Sequence, residues 1–495
     1  MARPDARRPT PVGRRPWRVL FVAAELAPFA KVGGLGDVAA ALPAALARLG
    51  VDIRVAIPKY GCVTEALTPV GEFPVPSGGK HLTCRAFQGT LPGSEVPVYF
   101  LGHEPLFSRP GIYGEGGVGY PDELERFAFL SRAALELGPR LGWLPDLVHA
   151  NDWHTALIPV YLRSGAVNLP ARSLLTIHNH AHQGRFPRER GEALGLNDAG
   201  WELVRKADHI NLLAGGVRAA DALTTVSPSY AEELLAQADG LEDELRARKD
   251  ALTGILNGID AATWDPKRDP YLWAPYSSAD PAGKRTNKRR LQEALGLVHE
   301  DVPLVGMVAR LDRQKGLELV VHGFERMMAL GVQFVLLGTG DPRYEAFFRG
   351  AEARHPGRVR ALIEFSEVWA HRIEAGADLF LMPSLFEPAG LNQLYSLRYG
   401  TVPVVRATGG LRDTVQDYDP SRDTGNGFVF EDFTAEAMLG ALGRAVRLWR
   451  EAPRAWQRLL VRGMREDHSW EGPARAYLAL YERVLAGDPP GLTRA

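Results

Sequence analysis

The sequence predicts an α/β protein made of two doubly wound domains that face a central cleft. Three observations carry this reading. Short, almost wholly apolar runs alternate with helix-period stretches from end to end, the pattern of parallel strands covered on both faces by helices. The alternation restarts after "GILNGIDAATWDPKRDP", so there are two sheets. Stretches rich in glycine and cations fall just after strands, at the edge where such sheets bind ligands.

Taken in order, "WRVLFVAAE" (17–25) reads as a buried strand and "DVAAALPAALARLG" (37–50) as a helix closed by Gly50. Segments 51–58, 96–102, 146–152, 173–179 and 222–227 are further strands of the first series. In the second series, 303–310, 333–340, 378–384, 401–410 and 427–432 alternate with helical segments. The boundaries follow: residues 1–16 as a disordered leader, 17–262 as an N-terminal domain, 263–468 as a C-terminal domain and 469–495 as an amphipathic terminal segment. The leader is rich in Arg and Pro and lacks the apolar stretch of a secretory signal.

Composition narrows the function. Over 495 residues the apolar content is 45%, the charged content 24% and the formal net charge -1. Nothing global favours nucleic acid or an anionic membrane, so any anion site is local. The two cysteines, Cys62 and Cys84, lack metal-type spacing and fit a reducing, cytoplasmic setting. No apolar run reaches the ~18 residues of a membrane span.

Seven stretches carry candidate chemistry. "KVGGLGDV" follows the first strand and opens a helix; Gly33, Gly34 and Gly36 let backbone approach a ligand, and Lys31 adds a charge suited to phosphate, with Asp37 beside it. A plain strand-to-helix turn is the competing reading. "VARLDRQKGLEL" sets Arg310 at a strand end and Lys315 at the next helix start, a phosphate clamp unless both are ordinary surface cations. Gly338 and Gly340 in "GTGDPRYE", and Thr408, Gly409 and Gly410 in "RATGGLRDTV", repeat the device. In "SLFEPAGLNQLYSLRYG", Glu387 precedes Gly390 at a helix start, where a carboxylate either complements the dipole or accepts hydrogen bonds from sugar hydroxyls. "HANDWHTAL" and "TIHNHAHQGRFP" bring His149, Asp152, His154, His178, His180 and His182 to strand ends. Their spacing fits no standard zinc pattern and HExxH is absent, so no metal is expected. Together these loops point to a phosphate-bearing ligand held between two domains.

Three other stretches are set aside. "GEGGVG" (114–119) matches GxGxxG but follows no strand and reads as a flexible loop. "DYD" (417–419) resembles the acidic triplet of metal-dependent sugar transferases but lies in a turn-rich stretch. The basic run 283–296 reads as a solvated helix start.

The motifs, in order along nearly the whole chain, resemble those of the bacterial glycogen synthases and plant starch synthases: "KVGGLGDV", "HANDWHTAL", "TIHNHAHQG", "TTVSPSYAEE", "GILNGID", "VARLDRQKGLEL", "GTGD" and "FEPAGLNQLYSLRYGTVPVVRATGGLRDTV". The resemblance implies a GT-B fold with two Rossmann-like domains, no cofactor and no required metal. It implies retaining transfer of glucose from ADP-glucose to the non-reducing-end 4-hydroxyl of an α-1,4-glucan. By motif match, Lys31 contacts the donor phosphates, Asp37 lies near the nucleotide, and Arg310 and Lys315 bind the diphosphate. Glu387 holds glucose hydroxyls, Gly390 adds backbone contacts, and Asp152 and His178 line the sugar and acceptor side. The last helix, within 469–495, is expected to cross back onto the N-terminal domain. Two positions depart from the family pattern: Ala389 stands where cysteine is usual, and His180 where a branched apolar residue is usual. The rival readings are another retaining GT-B transferase using UDP-glucose, and a non-catalytic protein that binds nucleotide sugar or glucan.

Overall fold

The computed structural model describes residues 15–115 and 118–487. Most of the expected leader (1–14), residues 116–117 of the "GEGGVG" loop and the end of the terminal segment (488–495) lie outside the described residues. The chain divides into two compact units. The first comprises residues up to Ile177, His182–Leu223 and residues from Tyr477 onward; the second comprises His178–Ala181 and Thr224–Ala476.

In the first unit five strands lie parallel in the order Arg172–Ile177, Leu147–Asn151, Arg18–Val22, Asp52–Pro58, Pro97–Gly102. The chain starts in the middle, works outward through Asp52–Pro58, then returns to the other side at Leu147–Asn151. The order therefore reverses between Arg18–Val22 and Leu147–Asn151, and ligand crevices form at such reversals. The strands owe their order to burial on both faces: every residue of Leu147–Asn151 is buried. Two antiparallel strands, Lys80–Thr90 and Thr68–Ser77, extend the sheet. They fall outside the expected strand series. The edge strand is mostly exposed and carries Pro69, Pro74 and Pro76, so its pattern is that of a protected edge and not a buried run. The first helix, Gly34–Arg48, begins at Gly34, three residues ahead of the expected start, because Gly33 supplies the extended cap.

The second unit holds six parallel strands in the order Val359–Leu362, Gln333–Leu337, Leu304–Val308, Leu379–Met382, Val402–Arg406, Phe428–Phe430. The reversal falls between Leu304–Val308 and Leu379–Met382. Strand Val359–Leu362 is also outside the expected series, because Arg360 and flanking polar residues interrupt the apolar run.

The basic run differs from its expected solvated character. Helix Ala282–Ala294 buries Lys284 and Lys288. Lys284 Nζ donates to Thr401 Oγ1 at 2.6 Å and to the carbonyls of Ala375 and Glu374 at 3.1 and 3.2 Å. Lys288 pairs with Asp378 at 2.6 Å. Of the described residues of "GEGGVG", Gly114–Glu115 pairs antiparallel with Val118–Gly119. Asp417 of "DYD" is bound by Arg444 at 2.7 and 3.0 Å. The last helix is Glu471–Leu485, and Tyr481, which belongs with the first unit, meets His149 Nδ1 at 2.7 Å. Among the described residues no helix is long and apolar enough to cross a membrane.

Candidate active site

In the first unit the strand Arg18–Val22 runs on to Glu25, which is buried. Its Oε2 accepts the N–H groups of Val32 and Gly33 at 2.7 and 2.8 Å, and its Oε1 accepts the Tyr113 hydroxyl at 2.7 Å. The Gly33 N–H, which the sequence offers to an anion, is thus directed at a carboxylate of the protein itself. Gly34 starts the helix. Lys31 Nζ donates to Asp37 Oδ1 at 2.6 Å, with the two side chains 41% and 33% exposed. A pair this open contributes about 0–1 kcal/mol, so its ammonium is easily redirected.

Across the strand reversal, Asp152 follows Leu147–Asn151 with φ 57° and ψ -175°. That region is almost confined to glycine. Its N–H is tied to the Thr176 carbonyl at 2.8 Å, and the side chain is buried. Asp152 is thus a buried carboxylate held in a strained backbone conformation at a strand end. His149 has both ring nitrogens engaged, with Tyr481 at 2.7 Å and Thr176 at 2.6 Å, and serves the sheet. His178, one residue past strand Arg172–Ile177, belongs with the second unit. Desolvation pushes its imidazole down to about 3, so it is neutral near pH 7.

The second unit carries the densest charge. Lys315 follows the strand Leu304–Val308, and Glu387 follows Leu379–Met382, one on each side of the reversal. Lys315 Nζ donates to both Glu387 oxygens, at 2.9 and 2.8 Å, and the Ser384 hydroxyl donates to Oε2 at 2.9 Å. The side chains are 19% and 9% exposed. Arg310 is open, with Asp312 at 3.3 Å and Gln314 Oε1 at 3.3 Å. The structure therefore brings Lys315 and Glu387 into contact, while Arg310, ahead of Lys315 in the chain, contacts Asp312 and Gln314.

The glycine loops are held by backbone contacts. Gly409 has φ 44°, and a Cβ there would lie 2.1 Å from the Glu387 carbonyl. A Cβ on Gly410 would lie 2.0 Å from the Ala389 carbonyl. Only glycine permits this approach. The Gly410 N–H donates to the Glu387 carbonyl at 3.1 Å, and the Gly409 N–H to Glu233 Oε1 at 2.8 Å, with Thr408 Oγ1 on the same oxygen at 3.1 Å. Gly338 N–H goes to the Leu362 carbonyl at 3.0 Å and Gly340 N–H to Glu345 at 3.1 Å. Gly390 turns the chain with φ 65° into helix Asn392–Arg398. His180, at the unusual position, bonds the Tyr230 hydroxyl through Nδ1 at 2.6 Å.

Sequence reasoning missed Glu25, Tyr113, Ser384, Glu233 and Phe365. Of these, Phe365 left a usable signal. It is an aromatic residue just after a strand of the second sheet, and in the structure it is 89% exposed, a ready face for a base to stack on.

Residues 18–247 match the family described as Starch synthase catalytic domain, and residues 289–458 that described as Glycosyl transferases group 1. A glycogen synthase of Anaeromyxobacter dehalogenans (strain 2CP-C) is 50% identical over 479 residues, covering 95% of this chain and 100% of that relative. Glycogen synthase 1 of Geobacter sulfurreducens is 44% identical, covering 94% and 96% of the two chains. The solved catalytic domain of Arabidopsis thaliana starch synthase IV, described as bound to ADP and acarbose, superposes with a TM-score of 0.87. It is 37% identical and covers 95% of this chain and all of that one. With two doubly wound sheets and this identity along almost its whole length, the chain belongs to the glycogen and starch synthase family of GT-B glycosyltransferases.

Proposed function

We propose that the protein transfers glucose from ADP-glucose to the non-reducing-end 4-hydroxyl of an α-1,4-glucan, with retention of configuration and release of ADP. The Lys315–Glu387 pair at the strand reversal of the second sheet carries the reading. The ADP and acarbose in the Arabidopsis relative's description support a nucleotide diphosphate leaving group and an oligosaccharide acceptor. The two free cysteines fit a cytoplasmic setting.

The chemistry follows from charge. Cleaving the anomeric bond leaves ADP with more negative charge and the sugar oxocarbenium-like, so fixed cations near the leaving oxygens stabilise the transition state more than the ground state. An ammonium has three donors. Lys315 spends two on Glu387, which leaves a third for the diphosphate. Arg310 and Lys31 add mobile charge to the same group, with Asp37 orienting Lys31. Glu387, neutralised by Lys315 and steadied by Ser384, accepts hydrogen bonds from glucose hydroxyls. Phe365 stacks the adenine, beside the loop of Gly338 and Gly340, and the Thr408–Gly410 and Gly390 turns shape the sugar side. Asp152 and neutral His178 contact the sugar and the acceptor.

The test is ADP release from ADP-glucose, with and without glycogen, against UDP-glucose. Glycogen-dependent release from ADP-glucose is expected. Faster turnover of UDP-glucose would refute the donor assignment, and binding without release would refute catalysis.

A further inference from the structure

The stretch "TTVSPSYAEE" has no role in the mechanism above, yet its contacts converge on the residues around Glu387. Ser227 caps helix Pro228–Ala236, accepting the Tyr230 N–H at 3.2 Å, and is fully buried. Three side chains of this helix and its cap reach the loop after Glu387 and the Thr408–Gly410 turn with the helix Gly409–Thr414 that it opens. Ser227 Oγ donates to the Pro388 carbonyl at 2.6 Å. Ser229 donates from Oγ and N to the two Asp413 oxygens at 2.6 and 2.9 Å. Glu233 accepts from the Gly409 N–H and the Thr408 hydroxyl at 2.8 and 3.1 Å.

The two loops are themselves in contact, through Gly410 N–H on the Glu387 carbonyl. Gly409 leaves no room for a Cβ against that carbonyl. A shift of the Thr408–Gly410 turn therefore moves the Glu387 backbone. The anchors are polar side chains outside the apolar core, so removing one alters position while that core stays intact.

We propose that Glu233 is a positioning residue for the transfer: it holds the Thr408–Gly410 turn, and through that turn the Glu387 backbone, in register with Lys315. This rests on the functional reading above. Misplacing a charged pair costs transition-state stabilisation more than donor binding, which is spread over other contacts.

The experiment compares Glu233→Ala and Glu233→Gln in the full chain. It reads kcat and donor KM for ADP release, the urea midpoint, and amide exchange at residues 408–411. Glu233→Ala is expected to lower kcat about tenfold with donor KM changed less than about threefold, and to speed exchange at Gly409. Glu233→Gln, which keeps an acceptor oxygen, is expected to restore most of kcat. An Ala variant with wild-type kcat overturns the proposal. So does a Gln variant as slow as Ala at an equal urea midpoint. Should Glu233→Ala fail to fold, Asp413→Ala removes both bonds that Ser229 makes to that side chain; a several-fold loss of kcat is expected, and wild-type kcat overturns the clamp. If the wild type turns over neither ADP-glucose nor UDP-glucose, the functional reading fails, and unchanged exchange at Gly409 in Glu233→Ala still decides against the positioning role.

Discussion

Replacing Lys315 with alanine separates what holds the site together from what it does. In the native protein the Glu387 carboxylate, with its side chain 9% exposed, receives two bonds from Lys315 and one from Ser384. Removing one partner of a fully buried ion pair costs about 3–5 kcal/mol, because the other charge is left desolvated and uncompensated. Lys315 is 19% exposed, so water reaches the vacated space and the cost falls to about 2 kcal/mol. Urea unfolding reads that directly. The rate should fall further, about a hundredfold, or about 3 kcal/mol of transition-state stabilisation. A double-mutant cycle with Glu387→Gln isolates the pair, with a coupling of about 1–3 kcal/mol expected for groups in contact. A Lys315→Ala protein within about 0.5 kcal/mol of wild-type stability and with near-normal ADP release would refute the reasoning.

Lys31→Ala makes the contrast. Its pair with Asp37 is exposed, so urea stability should stay within about 1 kcal/mol while ADP release falls about a hundredfold; loss of stability without loss of rate would reverse the assignment. For His178, the folded value of about 3 lies below the ordinary 6.5. Between these the unfolded chain binds a proton that the folded chain does not, so stability rises with pH across that window and is flat above it. In urea titrations His178→Asn should flatten the slope, and an unchanged slope would place its cause elsewhere. Gly410→Ala drives a Cβ to 2.0 Å from the Ala389 carbonyl; a drop of about 2 kcal/mol or more in unfolding free energy is expected, and a neutral effect would mean the two loops part easily.

The fold was legible wherever burial was two-sided. Strands such as Leu147–Asn151 and Leu379–Met382 are buried throughout because helices cover both faces. The hairpin Thr68–Thr90 was not, since an edge that faces water keeps no apolar run and its prolines read as turn. Lys284 and Lys288 show the same limit for charge. Their surroundings include Thr401 and Asp378, far along the chain, so a local reading of "GKRTNKRR" sees only a solvated helix. Lys315 and Glu387 were named from separate motifs, but their contact depends on strand order, which adjacency in sequence does not encode.

The glycine motifs show where a pattern can be right in place and incomplete in physics. "KVGGLGDV" and "RATGGLRDTV" suggest bare amides waiting for phosphate. In both, a carboxylate of the protein takes an amide first: Glu25 holds the N–H of Gly33, and Glu233 that of Gly409. Neither carboxylate lies within its motif, so neither was visible there. The positive potential of those turns is therefore partly cancelled from within. Under the proposed function, a diphosphate drawn to either loop relies on side-chain cations: Lys31 for the first loop, and Arg310 and Lys315 for the second. That is why the cation variants should lower turnover further than conservative changes in the loops that carry them.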